Sequence, residues 1–360
     1  MIPPELTPPS TRSHTSVVGL SEHWYVAVSA ADLGAEPVAR TILGIPLVFF
    51  RDASGQAHAL LDRCPHRNAP LSLGKVTPEG RLQCAYHGWE FDGSGARCKV
   101  PGLCSEDTAR AGDASGYPTL ERDGFVWVFP SQDTPDPPPP PELLLVNSPG
   151  YTTVRRELTF EGSVHATVEN ALDVPHTRFL HGGLFRSEER VENEVEIVIR
   201  RSADRVEAEY GGEPRPSGWV GRLLAPGGGV VQHFDRFLLP SVAQVEYALG
   251  DRSHLLVTSF CTPVTDFETR MFAVISFRLP LPGWLVALFL EPIAMRILRQ
   301  DQEIVRAQTD VIQRFGGERY ASTEVDVLGN DIHRLMKQSA SGELGDPAAP
   351  PTERRIRMRT

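Results

Sequence analysis

The chain has 360 residues, with 46 acidic against 36 basic side chains and a formal net charge of −10. That length makes two domains the natural division, and 41% hydrophobic residues supply apolar matter for two cores. The acidic balance, with no stripe of Lys and Arg, excludes nucleic acid as a partner.

The first segment, MIPPELTPPSTRSHTS, has no apolar run and several prolines. It is not a signal peptide, and residues 1–21 read as disordered. Strand signals follow at 24–28, 46–51, 58–62 and 124–129, rich in β-branched or aromatic residues or bounded by Gly, Asp or Pro. They predict an all-β domain over 22–133.

Two short loops rise from this domain: Cys64-Pro65-His66 and, after seventeen residues, Cys84-Ala85-Tyr86-His87. Each offers one thiolate and one imidazole, the ligands of a soft metal site. A zinc finger places its cysteines together and its histidines later. Here the order alternates, so each loop can send its Cys to one iron and its His to the other. That is how a Rieske [2Fe–2S] centre is held. A structural zinc ribbon is the competing reading.

TPDPPPPPEL, residues 134–143, reads as a stiff polyproline II spacer within a linker over 134–150. A second domain is expected over 151–340, opening with a strand at 151–160 and a helix at 163–172. Further strands are predicted at 195–201, 205–210, 230–239, 243–249, 254–262 and 270–279. They make one large antiparallel sheet. A long helix at 284–315, kinked or interrupted at Pro292, closes it. The whole chain is therefore α+β. The polar, proline-bearing tail over 341–360 reads as frayed.

The most apolar run, 279–298, is interrupted by Pro280, Pro282, Glu291, Pro292 and Arg296. It falls short of a spanning helix and reads as a buried amphipathic helix. Peripheral membrane contact, or an entrance for an apolar substrate, is the other reading. Of five cysteines, Cys98, Cys104 and Cys261 are left over from the cluster pair. An odd remainder beside an iron–sulfur centre suits reduced, buried or inert thiols in a cytoplasm.

ENALDVPHTRFLH, residues 169–181, holds Asn170, Asp173, His176 and His181. Two histidines five apart mean little alone. These sit past a helix end beside Pro175, with an acidic residue three before the first, in a chain whose cluster needs somewhere to send electrons. Two His and one carboxylate on one face of an iron leave positions open for O₂ and substrate. RQDQEIVRAQTDVI offers Asp301, Glu303 and Asp310 for the carboxylate. Asp301 shares a helix face with Val305 and Gln308; a solvated acidic face is the alternative.

With these motifs quoted, the chain resembles the α-subunits of Rieske non-haem iron oxygenases over about residues 22–315. The resemblance implies a helix-grip catalytic domain and a homotrimer arranged head to tail. It implies a [2Fe–2S] cluster on Cys64, His66, Cys84 and His87, and a mononuclear Fe(II) on His176, His181 and Asp301. It also implies that His87 of one subunit hydrogen-bonds Asp173 of the next, that Asp173 holds His176, and that Asn170 faces the sixth iron position. The chemistry agrees, since a metal-bound His is normally oriented by an outer carboxylate or carbonyl. Neither GGLFR from Gly182 nor PGGGV from Pro226 is a nucleotide fingerprint. Electrons are therefore expected from a separate NAD(P)H-dependent reductase or ferredoxin. The implied activity is O₂-dependent hydroxylation of a hydrophobic substrate. Dealkylation next to O or N, or aromatic dihydroxylation, is the alternative within the family. VPHTRFLHGGLFR resembles the branch acting on bulky molecules such as chlorophyll derivatives and sterols. Outside the family stand a Rieske electron-transfer protein and a zinc hydrolase.

Overall fold

A computed structural model describes residues 19–103, 112–132, 134, 136–181, 194–212, 231–249, 253–279 and 282–359. Most of the expected disordered N-terminus, Cys104, GGLFR and PGGGV lie outside the described residues. The chain divides into two compact units, the main boundary falling between Leu143 and Leu144.

The first unit is all antiparallel β. β1 (Tyr25–Ser29), β11 (Phe125–Val128) and β10 (Thr119–Arg122) form one sheet; β2 (Val38–Ile42), β3 (Ile45–Arg51), β4 (Ala57–Leu61) and β9 (Gly116–Tyr117) form a second. Their apolar residues fill one core, including Val28, Leu47, Phe49, Ala59 and Val126. A small third sheet joins β5 (Lys75–Val76), β6 (Leu82–Gln83), β7 (Glu90–Phe91) and β8 (Arg97–Lys99). Its core of Val48, Phe50, Leu60, Leu71, Leu82 and Phe91 encloses Cys64 and Cys84.

The proline segment is tied to the first unit. Its carbonyls accept from the Trp24 indole at Pro138 and from Arg122 at Pro140, and Asp123 accepts the Leu143 N–H at 3.0 Å. Polyproline II leaves its carbonyls without internal partners, so donors on the first unit can take them.

The second unit is an eight-stranded antiparallel sheet. In chain order its strands are β12 (Thr152–Phe160), β13 (Glu194–Arg201), β14 (Arg205–Gly211), β15 (Val231–Leu238), β16 (Val242–Leu249), β17 (Ser253–Thr265), β18 (Glu268–Arg278) and β19 (Thr352–Arg359). The spatial order is β12-β18-β17-β16-β15-β14-β13-β19. Helix α1 (Val164–Leu172) packs its Val164, Val168 and Leu172 against this sheet. Ser163 starts it, its hydroxyl accepting the Ala166 N–H at 3.2 Å. Helix α2 (His176–Leu180) follows directly.

Helix α3 (Gly283–Phe315) runs along β12. Gly283 meets Thr152 so closely that any Cβ would collide, Arg156 pairs with Glu291, and Gln302 reaches the Thr159 carbonyl at 2.7 Å. The helix continues through Pro292 as one element and ends at Gly316 with φ 76°. Of the two expectations for Pro292, a kink or an interruption, the helix is not interrupted, and its contacts with β12 fall on both sides of the proline. Helix α4 (Gly329–Ser341), not anticipated, buries Ile332, Leu335 and Met336. The tail is not frayed: β19 pairs with β13 from Thr352↔Arg201 to Arg359↔Glu194. Met358 is buried and Ile356 packs on the core, while Arg355 and Arg357 meet Glu196 and Glu194 across the strands.

Among the described residues no helix is long and apolar enough to cross a membrane. Cys261 is buried, its thiol pushed up to about 12 by desolvation. Cys98 is exposed rather than buried, and desolvation and Asp92 raise its thiol out of the reactive range.

Candidate functional site

The two cluster loops are built alike. In the first, the Cys64 N–H donates to the Ala69 carbonyl at 2.8 Å and the Asn68 N–H to the Cys64 carbonyl at 2.9 Å. In the second, Cys84 pairs with Trp89 at 2.8 Å and Gly88 with Cys84 at 3.0 Å. Each turn closes through a left-handed residue, Asn68 at φ 60° and Gly88 at φ 69°. The same fold of backbone thus presents both sulfurs.

Both thiols are buried at 2% exposure. Burial presses Cys64 upward; the His66 and Arg67 N–H groups pull the other way, and the neighbouring Cys84 adds to the rise. Two adjoining buried thiols with amide donors aimed at one of them suit a cation that takes them as thiolates. His66 stacks on Trp89 at 4.6 Å and 5°, and its ring lies 4.5 Å from that of His87. Its Nδ1 is buried without a hydrogen-bond partner. Desolvation, His87 and Arg67 hold His66 below the usual imidazole range. A neutral ring with an orphaned nitrogen is what an iron ligand requires, so Cys64, His66, Cys84 and His87 fit a Cys₂His₂ cluster. His87 is exposed at the loop tip.

In the second unit, His176, His181 and Asp301 converge. His176 Nε2 and His181 Nε2 are 3.2 Å apart, and Asp301 Oδ1 lies 3.4 Å from the first and 3.1 Å from the second. Ligands about 2.1 Å from a metal and at right angles stand about 3.0 Å apart. The three donor atoms therefore fit one triangular face around an ion. Asp301 Oδ1 is buried with no hydrogen-bond partner, an orphan that a cation would satisfy.

The outer nitrogens are also held. His176 Nδ1 lies 3.2 Å from Asp173 Oδ2, which takes the His176 backbone N–H as well. His181 Nδ1 lies 2.9 Å from Gln300 Oε1. Each ring thus donates Nδ1–H outward and turns Nε2 inward. Without an ion, burial works to lower His176, but Asp173 and Asp301 outweigh it and push it up to about 9. The site is an anionic cradle awaiting positive charge.

A cavity of about 790 Å³ opens beside the triad, with Glu169, Asn170, Asp173, His176, Phe179 and Tyr320 on its wall. Asn170 therefore lies near the triad, and among the described residues no side-chain hydrogen bond joins the two. Glu169, one turn before Asp173, is raised to about 7 by burial and by the charges of Asp173, Asp326 and Glu318. Gln300's hold on His181 was not foreseen; only its adjacency to Asp301 marked it. Glu303 is exposed and Asp310 is exposed, and neither joins the triad.

Two family models match the chain: "Rieske [2Fe-2S] domain" over residues 23–109 and "Vanillate O-demethylase oxygenase C-terminal domain" over residues 160–341. The vanillate O-demethylase oxygenase subunit of a Pseudomonas species is 30% identical, over 90% of this chain and 96% of its own length. The chloroplastic chlorophyllide a oxygenase of Chlamydomonas reinhardtii is 39% identical over 46% of this chain and 25% of its own. The chain spans between 25% and 51% of the length of the first curated relatives it matches. The crystal structure of dicamba monooxygenase bound to 3,6-dichlorosalicylic acid superimposes with a TM-score of 0.78 at 26% identity, covering 91% of this chain and 99% of that one.

Proposed function

Because the chain belongs to the Rieske non-haem iron oxygenases, we propose that it is the terminal oxygenase of a multicomponent monooxygenase. Its reaction is RH + O₂ + 2e⁻ + 2H⁺ → ROH + H₂O on a hydrophobic organic substrate. The electrons come from a separate reductase or ferredoxin, in keeping with relatives described as an oxygenase component or subunit. The convergence of His176 Nε2, His181 Nε2 and Asp301 Oδ1 in a chain that also carries a Rieske domain is the observation behind this reading.

Cys64, His66, Cys84 and His87 would hold the [2Fe–2S] cluster; His176, His181 and Asp301 would hold Fe(II). When bound, that iron supplies the place where O₂ is activated. Gln300 and Asp173 fix the two rings, and the burial of His181 and Asp301 keeps bulk water from the donors. Asp173 and His176 both line the cavity. In a head-to-tail homotrimer Asp173 would accept a hydrogen bond from His87 of the neighbouring subunit and link the two centres. Asn170, on the same cavity wall, would face an open iron position. Exposed Trp284 and Leu288 at the start of α3 offer an apolar face to an entering substrate or a membrane surface. Free thiols at Cys98 and Cys261 suit a cytoplasmic protein.

Demethylation is the second reading, favoured by the match of residues 160–341 to a demethylase domain and by the dicamba monooxygenase fold. There the hydroxylated carbon is a methyl on O or N, and the hydroxymethyl product breaks its C–O or C–N bond to release formaldehyde and the dealkylated molecule.

The test is reconstitution. The loaded chain should hold two cluster irons plus one. Supplied with reductant and O₂, it should yield a product one oxygen heavier, or one CH₂ lighter with formaldehyde released. Two irons per chain would support an electron carrier instead. Turnover that needs neither O₂ nor reductant would support a zinc hydrolase.

A further inference from the structure

β15 alternates strictly. Val231, His233, Asp235 and Phe237 are buried, and the residues between them are not. Phe237 belongs to the core that α1 closes, so His233 and Asp235 sit on the helix-covered face. The other face is the charged one, where Arg236 pairs with Glu207 on β14 and Glu246 on β16.

His233 is 0% exposed and Asp235 1%. Buried polar groups need partners, and His233 has them. Its ring is stacked between Tyr210, at 4.4 Å and 15°, and Tyr247, at 4.1 Å and 16°. Its Nε2 lies 3.0 Å from Asp235 Oδ1; the ring N–H donates and the carboxylate accepts. Asp235 is only half served. Its Oδ2 is buried with no hydrogen-bond partner among the described residues. Its register neighbours are Ala208 on β14 and Val245 on β16, which carry no donor on their side chains. A buried acceptor left in this way is a loss that an incoming donor recovers.

The position matters. α1 packs across β15, β16 and β17 and leads into His176 and His181. Asp235 therefore lies on the sheet face over which the segment carrying the two histidines is folded. Resting on the oxygenase reading, we infer that Asp235 anchors the substrate, its Oδ2 accepting a hydrogen bond from an O–H or N–H on an otherwise apolar, ring-bearing molecule. The surroundings fit such a body: Ala208, Ala243, Val245, Tyr210 and Tyr247 share that face. A carboxylate substrate is turned away, because two acceptors would meet with no proton between them. A site built to bond a donor rejects the analogue that lacks one far more sharply than a greasy pocket rejects a change in size.

The test uses the holoprotein with both metal sites loaded. One-ring, two-ring and four-ring scaffolds are offered as hydroxyl, methyl ether and carboxylate. Binding is read from the change each makes in the EPR spectrum of the nitric-oxide complex of the mononuclear iron. On the scaffold that fits, the hydroxyl is expected to bind about tenfold more tightly than the ether, and the carboxylate most weakly. Asp235→Leu should level hydroxyl and ether. Asp235→Asn, which keeps the shape and can donate, should bring the carboxylate up, and it answers the question if the Leu variant does not fold. An unchanged order in both variants, a wild-type preference for the carboxylate, or no response on any scaffold would overturn the inference. O₂-driven reoxidation of the reduced cluster with the best binder judges the oxygenase reading separately. Reoxidation with no dependence on Asp235 sinks this inference alone. An Asp235-dependent preference without reoxidation sinks the oxygenase reading and leaves Asp235 a ligand site.

Discussion

The two metal-binding regions are made by opposite means. Cys64 to His87 gathers four donors within one short stretch, on two turns closed by their own backbone hydrogen bonds. The triad takes His176 and His181 from one end of the second unit's sequence and Asp301 from a helix more than a hundred residues later, and each ring is aimed by a different outer partner. The first region depends on local turn geometry, the second on tertiary packing. Damage to one should therefore leave the other standing.

The largest effects should come from the donors themselves. Cys84→Ser is expected to abolish the Rieske EPR signal while the mononuclear site still loads iron. His181→Ala or Asp301→Ala should do the reverse, removing the mononuclear iron and all turnover with the cluster spectrum intact. Glu303→Ala should do neither. Loss of both signals in any one variant would break the contrast.

Next comes Asp173, proposed above to link the two centres. Asp173→Asn keeps size and most hydrogen-bonding shape but removes the charge. Both sites should load, and single-turnover mixing of the reduced protein with O₂ and substrate should show cluster reoxidation slowed by orders of magnitude. Loss of iron with activity would make Asp173 a ligand. Normal reoxidation would take it off the electron path.

Gln300→Leu should be milder. Removing an outer partner of a metal-bound His typically weakens metal affinity about 10- to 100-fold. Competitive chelation of the mononuclear iron would read it, and an unchanged affinity would leave Gln300 with no part in aiming His181.

The smallest effect concerns Glu169. Its carboxyl is raised from 4.5 to about 7 by burial and neighbouring acids. A carboxyl whose folded value lies above its unfolded one stabilises fully below the unfolded value and loses that contribution as pH rises through the folded value. Glu169→Gln should therefore raise the thermal midpoint of the apoprotein by a few degrees at pH 8, for a gain of about 1–2 kcal/mol, and leave it nearly unchanged at pH 5. A larger gain at pH 5 than at pH 8 would reverse the sign and sink the assignment.

Legibility followed the same divide. Local patterns were readable: the Cys and His spacings, the strands from β12 to β18, and the helix at 163–172. What failed depends on neighbours far off in sequence. RRIRMR looks like a solvated tail until Glu194 and Glu196 of β13 lie opposite its arginines. Pro292 predicts a kink or an interruption, and the sequence cannot show that contacts with β12 accompany an unbroken helix on both sides of it. Gln300 and Asp235 have ordinary sequence surroundings, and only the fold brings one to His181 and buries the other's Oδ2 without a hydrogen bond.

The strand order has one more consequence. β12 lies at one edge of the sheet and β13 next to last at the other, yet the chain passes from Phe160 to Glu194 with the two histidines between. Six strand spacings of about 4.8 Å separate those ends, about 29 Å in all. The strands that flank the histidine segment in sequence thus stand on opposite banks of the sheet. Asp301 hangs from α3, which is lashed to one bank alone. A strand inserted into the meander would widen the crossing and draw His176 and His181 away from Asp301. A longer hairpin tip would change no width at all. Loops at the strand ends are therefore free to diversify, while the number of strands is locked by the need to close three donors on one ion.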